Sequence, residues 1–192
     1  MTQSLISEPQ GMEAVIKYQQ AGKQTQLTPE IQQVASTYQG TVLDKTKQIL
    51  AYLKSMRATR FDESIFRKRT AGQILKDGFV TGCTDSDLVF VALARANGLS
   101  AKYVETIDES WLQKGGGSIQ GHQYAEVYDE EQKRWFWVDP MGMRIDIQPP
   151  LKEGRVIYDV GLDSWDIGIT DFDSLKQKFE EFRTNWLETN KT

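Results

Sequence analysis

Between Asp85 and Asn97 the run Leu88-Val89-Phe90-Val91-Ala92-Leu93-Ala94 has no polar side, and Asn97-Gly98 closes it. A helix that is apolar all round must be buried, and an Asn-Gly pair is a strong C-terminal stop, so this pattern predicts a central core helix. Amphipathic segments surround it. Val42, Ile49, Leu50 and Leu53 share one helical face, with lysines at 45, 47 and 54 elsewhere, which predicts a helix over 41–56. Phe172, Leu175, Phe179, Phe182 and Trp186 mark a closing helix capped near Thr170 or Asp171. Shorter helices are predicted after the cap and proline Thr28-Pro29, with Gly40 as a stop, and from Thr70 to Gly78.

The period changes to two after Gly98. Ala101 to Ile107 reads as a strand, and 123–128 with 133–138 form a hairpin around Asp129-Glu130-Glu131-Gln132. Further short strands are predicted at 143–147 and 155–160. Residues 108–121 read as a loop centred on Gly115-Gly116-Gly117, a surface segment or a lid. Glutamine is frequent and large apolar residues are scarce near the N-terminus, so residues 1–27 are expected to be a flexible arm and 28–192 a single domain. The expected fold class is α+β, with a buried helix packed on an antiparallel sheet.

The length of 192 residues suits one well-buried core. A net charge of −4, with 26% charged and 10% aromatic residues, describes an ordinary globular chain and argues against nucleic acid as the main partner. No apolar run approaches the ~20 residues of a membrane span. The N-terminus lacks the basic start and apolar stretch of a signal peptide, so a cytoplasmic location is expected, with export after removal of a signal as the alternative. One cysteine and one histidine are too few for an ordinary zinc site, the aspartates at 159, 163, 166, 171 and 173 lack calcium-loop spacing, and no cofactor is expected.

That lone cysteine and lone histidine each sit where chemistry is favoured. Cys83 follows Thr81-Gly82 at the mouth of the core helix, where the helix dipole favours a thiolate. Pairing Tyr128 with Lys133 closes the hairpin loop. It places Ala125 and Val127 on one face and Glu126, Tyr124 and His122 on the other, with His122 directly across from Asp139. Cys83, His122 and Asp139 then form a nucleophile, base and orienting acid, a set suited to acyl transfer through a thioester. The backbone N–H of Cys83 is a candidate oxyanion donor. Gly82, Tyr124 and Trp137 are candidate lining of the cleft. Asp85 and Asp87 read as helix N-terminal charges.

Four ordered blocks resemble the transglutaminase-like superfamily, whose core is a papain-like cysteine fold: Gly82-Cys83-Thr84-Asp85, then Leu93 to Val104, then His122-Gln123-Tyr124-Ala125-Glu126-Val127-Tyr128, then Trp137-Val138-Asp139-Pro140. The resemblance covers about residues 70–140 and implies Cys83 as nucleophile, His122 as base and Asp139 as orienting acid. It also implies a peptide or protein substrate attacked at a glutamine side chain or a peptide bond. The superfamily holds crosslinkers, deamidases, peptidases and amidases, and members that have lost activity, which would serve as peptide-binding modules. Two positions depart from its usual pattern. Tyr124 stands where tryptophan is frequent, and Asp77 occupies the place of the oxyanion-hole glutamine of papain relatives. All five tryptophans lie downstream of Cys83. Gln73, Tyr18, Tyr38 or Tyr52 are the substitutes available as a second oxyanion donor, and hydrolysis is favoured over classical crosslinking.

Overall fold

A computed structural model describes residues 11–147 and 154–190. The helices are α1 (Met12–Lys17), α2 (Pro29–Ala35), α3 (Val42–Ser55), α4 (Ala71–Asp77), α5 (Cys83–Ala96), α6 (Glu109–Lys114) and α7 (Phe172–Thr189). The strands are β1 (Arg57–Ala58), β2 (Phe79–Val80), β3 (Ala101–Asp108), β4 (Gly121–Asp129), β5 (Arg134–Asp139), β6 (Arg144–Ile147) and β7 (Arg155–Gly161). The last five pair antiparallel in the order β6-β5-β4-β3-β7, and β1 pairs with β2 in parallel. The chain is therefore α+β, as the pattern predicts.

The core helix behaves as its composition requires. Every residue of α5 from Thr84 to Arg95 is buried, flanked by α2, α3 and α4 and packed on β3 and β4. Local chemistry sets the helix ends around it. Thr28, Thr41 and Thr70 each accept an N–H of their own helix, Asp171 does the same for α7, and Gly78 adopts the left-handed conformation that stops α4. Ala101, Tyr103, Ile107, Ala125, Val127, Phe136 and Val138 bring the sheet into the same core.

The hairpin register differs from the expected one by two residues. Tyr128 pairs with Trp135 and Asp129 with Arg134, so the four-residue loop is 130–133. Asp129 causes this, because its carboxylate accepts the N–H groups of Glu131 and Gln132 at 3.0 Å each and caps the turn, while Lys133 takes a left-handed φ of 51°. A shift of two conserves strand parity. Val127 with Phe136 and Ala125 with Val138 still form the core face, and His122 and Asp139 still share the other.

Two further expectations are corrected. Within the stretch read as a flexible arm, residues 1–10 lie outside the described residues, but 12–17 form α1 and Tyr18, Gln24 and Thr25 are buried. Glutamine content misled the reading because Gln24 is a hydrogen-bonding strut: its Nε2 donates to the carbonyls of Arg67 and Arg69, and its N–H donates to Asp163. The Tyr18 carbonyl accepts from Ala101 N–H and Arg95 Nε, which ties this segment to the far end of α5. The second correction is α6, which occupies the first half of the expected 108–121 loop. Asp108 caps it, and Trp111 and Leu112 turn inward.

Candidate active site

Cys83 is the first residue of α5, and Gly82 is its N-cap. Glycine offers no side chain to hold this turn, so Asp85 does so from inside the helix. Its carboxylate accepts the Thr81 N–H at 2.9 Å, the Thr81 hydroxyl at 2.8 Å and the Arg69 guanidinium, with both charged groups nearly buried. Asp85 is thus the structural helix-start charge that the sequence suggests, with the added task of fixing the turn that presents the thiol. A Cβ at residue 82 would meet no atom within 4 Å, so open space adjoins the cysteine turn.

His122 enters from β4. Thr106, its partner on β3, donates to the His122 carbonyl at 2.8 Å and pins the backbone. The adjacent residues bring it to the cysteine: the Thr84 hydroxyl donates to Gln123 Oε1 at 3.0 Å, so the residues following Cys83 and His122 are hydrogen-bonded to each other. Cys83 in turn lies close enough to His122 to raise its pKa. The His122 Nε2 lies 3.2 Å from Asp139 Oδ1. Continuing the observed register sets Tyr124 opposite Asp139, so His122 and Asp139 meet as diagonal neighbours rather than directly across. A side chain as long as histidine spans that diagonal.

Asp139 has two more partners that the sequence reading missed. The Gly142 N–H donates to Oδ1 at 2.8 Å and Arg144 Nη2 to Oδ2 at 2.9 Å. A Cβ at residue 142 would lie 2.5 Å from Asp139 Oδ2, so only glycine lets the backbone approach this closely. The spacing Asp139-x-x-Gly142 was the available signal, since an aspartate commonly caps an N–H three residues on.

Burial opposes a charge on His122, but the hydrogen bond to Asp139 and the nearby Cys83 outweigh it and push its pKa up to about 9. Burial likewise opposes the Asp139 anion, and bonds from His122, the Gly142 N–H and Arg144 pull its pKa down to about 2. Each shift fixes a sign. The raised histidine contributes stability fully below its unfolded pKa of about 6.5, and that contribution is lost as pH rises through about 9. The depressed aspartate contributes fully above about 3.9 and loses its contribution as pH falls towards 2. The stability difference between wild type and His122→Ala is therefore expected to be largest from about pH 4 to 6.5 and to shrink on either side. Urea midpoints measured across this range check it, and a difference independent of pH would show that the pair carries no linked protons.

The candidate lining residues divide. Tyr124 is buried, at 1% exposure, and packs edge-on beneath His122 with centroids 4.7 Å apart, so it supports the imidazole instead of forming an open wall. Trp137, half-buried, packs on Tyr124 at 6.0 Å. An open cavity of about 660 Å³ is lined by Thr59, Phe61, Phe79 and Thr81 among others, and by neither Cys83 nor His122.

The candidate second oxyanion donors are spread over α3, α4 and the segments at the far end of α5. Gln73 closes the α4 capping box, and Tyr18 and Tyr38 give their carbonyls to Arg95 and Asn97 at the opposite end of α5. That end is about 20 Å from Cys83 for a helix of this length. Tyr52 lies on α3, half-buried against the core. Asp77 is paired with Arg69 at 2.9 Å and offers no donor.

Beneath the site runs a polar chain that the sequence did not reveal. Arg67 Nη1 bonds Glu105 at 2.8 Å and Ser164 at 2.7 Å, Glu105 also accepts from Gln123, and Gln123 accepts from Thr84. Both charged side chains of the Arg67–Glu105 pair are buried.

Comparison with known proteins accords with this architecture. The profile of the transglutaminase-like superfamily matches residues 26–140, a span that includes Cys83, His122 and Asp139. The chain belongs to the transglutaminase-like superfamily. Among solved structures, a candidate cysteine protease from Cytophaga hutchinsonii superposes with a TM-score of 0.61 at 17% identity, over 88% of this chain and 53% of that one. The present chain thus spans about half the length of that neighbour. LapG from Legionella pneumophila superposes with a TM-score of 0.48 at 13% identity, over 81% of this chain and 94% of that one. No curated protein matches the chain.

Proposed function

We propose that the protein is a cysteine hydrolase of peptide or protein amides, with Cys83 as nucleophile, His122 as general base and acid, and Asp139 as the group that orients the imidazole. One observation carries this reading: the chain's single cysteine opens a buried helix beside its single histidine, whose Nε2 is held by a buried carboxylate.

The roles follow from the hydrogen bonds. Nε2 donates to Asp139, which leaves Nδ1 to accept the Cys83 thiol proton. The thiolate attacks the carbonyl carbon of the amide. The Cys83 N–H, at a helix position with no intrahelical acceptor, donates to the oxygen as it gains charge. Imidazolium Nδ1–H then protonates the leaving amine, or ammonia for a glutamine side chain, as the C–N bond breaks and a thioester remains. Water loses a proton to Nδ1 and attacks the thioester, releasing the acid and restoring the thiol.

A catalytically silent peptide-binding module is the competing reading, favoured by Asp77, paired with Arg69, in the place of the oxyanion-hole glutamine. Incubation of wild type and Cys83→Ala with a peptide library and with glutamine peptides, read by mass spectrometry and ammonia release, separates the two. The hydrolase reading expects products from the wild type alone. Binding of a peptide without turnover by either protein would establish the silent module.

A further inference from the structure

The helix that presents Cys83 carries a second carboxylate on the same side. Asp87 lies four residues on, so its side chain stacks one turn below the thiol. It is fully buried, and neither carboxylate oxygen has a hydrogen-bond partner among the described residues. This differs sharply from Asp85, two residues earlier, which is also buried but accepts from Thr81 and Arg69. Buried polar groups without partners are rare in folded proteins and concentrate where function opposes stability.

The groups facing Asp87 come from four elements. They are Cys83 on its own helix, Glu105 and Tyr103 on β3, His122 on β4 and Asp139 on β5. Arg95 shares α5 with it but lies eight residues away, about 12 Å along the axis. Of the other cations in this region, Arg67 is bonded to Glu105, Arg69 to Asp85 and Arg144 to Asp139. Among the described residues the titratable cation beside Asp87 is therefore His122, and Asp139 already holds it at 3.2 Å. A second anion here would have no hydrogen-bond donor and would stand against a thiolate and two carboxylates in a low-dielectric interior.

We propose that Asp87 is a positioning residue of this site that keeps its carboxyl proton while Cys83 and His122 ionise, so that the thiolate–imidazolium pair faces the carboxylate of Asp139 alone. The proposal rests on the assignment of Cys83 and His122 as the reacting pair. Burial acts in the same direction, raising the Asp87 carboxyl well above the usual carboxylate range, against a smaller opposing pull from His122. The coupling runs both ways. Once Asp87 does release its proton, its charge must be felt at His122, and the two groups titrate as a linked pair.

The single histidine makes this measurable without turnover. The infrared spectrum of the wild type at neutral pH is expected to show the carbonyl stretch of a protonated carboxylic acid, absent from Asp87→Asn. In a Cys83→Ala background, the His122 ring resonances followed by NMR across pH are expected to show a second inflection where that infrared band disappears, and Asp87→Asn should abolish it. A wild type with no protonated-acid band would overturn the proposal, since Asp87 would then be ionised, and this reading needs no variant to fold. Identical His122 curves with and without Asp87 would also overturn it, leaving Asp87 a core group with no hold on the site. Peptide turnover enters neither measurement, so failure here and failure of the hydrolase assignment are separately visible.

Discussion

His122→Ala is expected to lower turnover by about 10⁴-fold or more, because the variant keeps the nucleophile but has nothing to take its proton or to return one to the leaving group. No other side chain can substitute, since the chain contains a single histidine. The same variant should change how Cys83 reacts with iodoacetamide. In the wild type, Cys83 lies beside His122, which is itself held by Asp139, so alkylation at neutral pH should be fast. In His122→Ala, with no base to take the thiol proton, alkylation at neutral pH should be much slower. Asp139→Asn retains a carbonyl oxygen where Oδ1 accepts from Nε2 and should fall between the two. Equal alkylation profiles for wild type and His122→Ala, or a Cys83 inert in both, would remove the basis for a thiol mechanism.

Arg67→Met should be the most destabilising single change near the site. It deletes a buried guanidinium that bonds Glu105 and Ser164 and leaves the Glu105 carboxylate in the interior without its cation. Breaking a buried ion pair by removing one partner costs about 3–5 kcal/mol, which for a chain of this size lowers Tm by roughly 10 °C. Combining it with Glu105→Gln removes the orphaned charge and should recover a substantial part of the loss, because a neutral amide can still accept from Tyr103. Thermal and urea unfolding of the single and double variants test this, and a double variant no more stable than Arg67→Met would show that the charge is not the cause. Glu105 also holds Gln123, and Gln123 holds Thr84 beside the nucleophile, so the single variant should lose activity even at temperatures where it stays folded.

The parts of the fold that were legible in the sequence are those set by short-range physics. Thr28, Thr70 and Asp171 cap the helices they were expected to cap, because a cap is decided within four residues. The core helix and the strands β3 to β7 follow from apolar periodicity. α6 escaped because its six residues offer one cap and two inward side chains, too short a stretch to show a period, and the following glycines dominate the reading. The N-terminal segment escaped for a different reason: Gln24 and Tyr18 are ordered by acceptors and donors as distant in sequence as Arg67, Arg95 and Asp163.

The candidate site divides along the same line. Strand parity, a local property, was sufficient to put His122 and Asp139 on one face, and it survived a two-residue error in register because the side-chain period is two. The helix start at Cys83 was equally local. The tertiary structure alone decided that the pair meets on a diagonal, that Gly142 and Arg144 complete the aspartate's partners, and that Tyr124 lies beneath the imidazole. It alone separated Asp85 from Asp87, two aspartates with the same sequence reading, by giving one an arginine and a threonine and the other no hydrogen-bond partner among the described residues. Sequence spacing determines which way a side chain points along its own element, whereas what it meets there depends on the docking of other elements, which burial drives with little regard for the order in which they were joined.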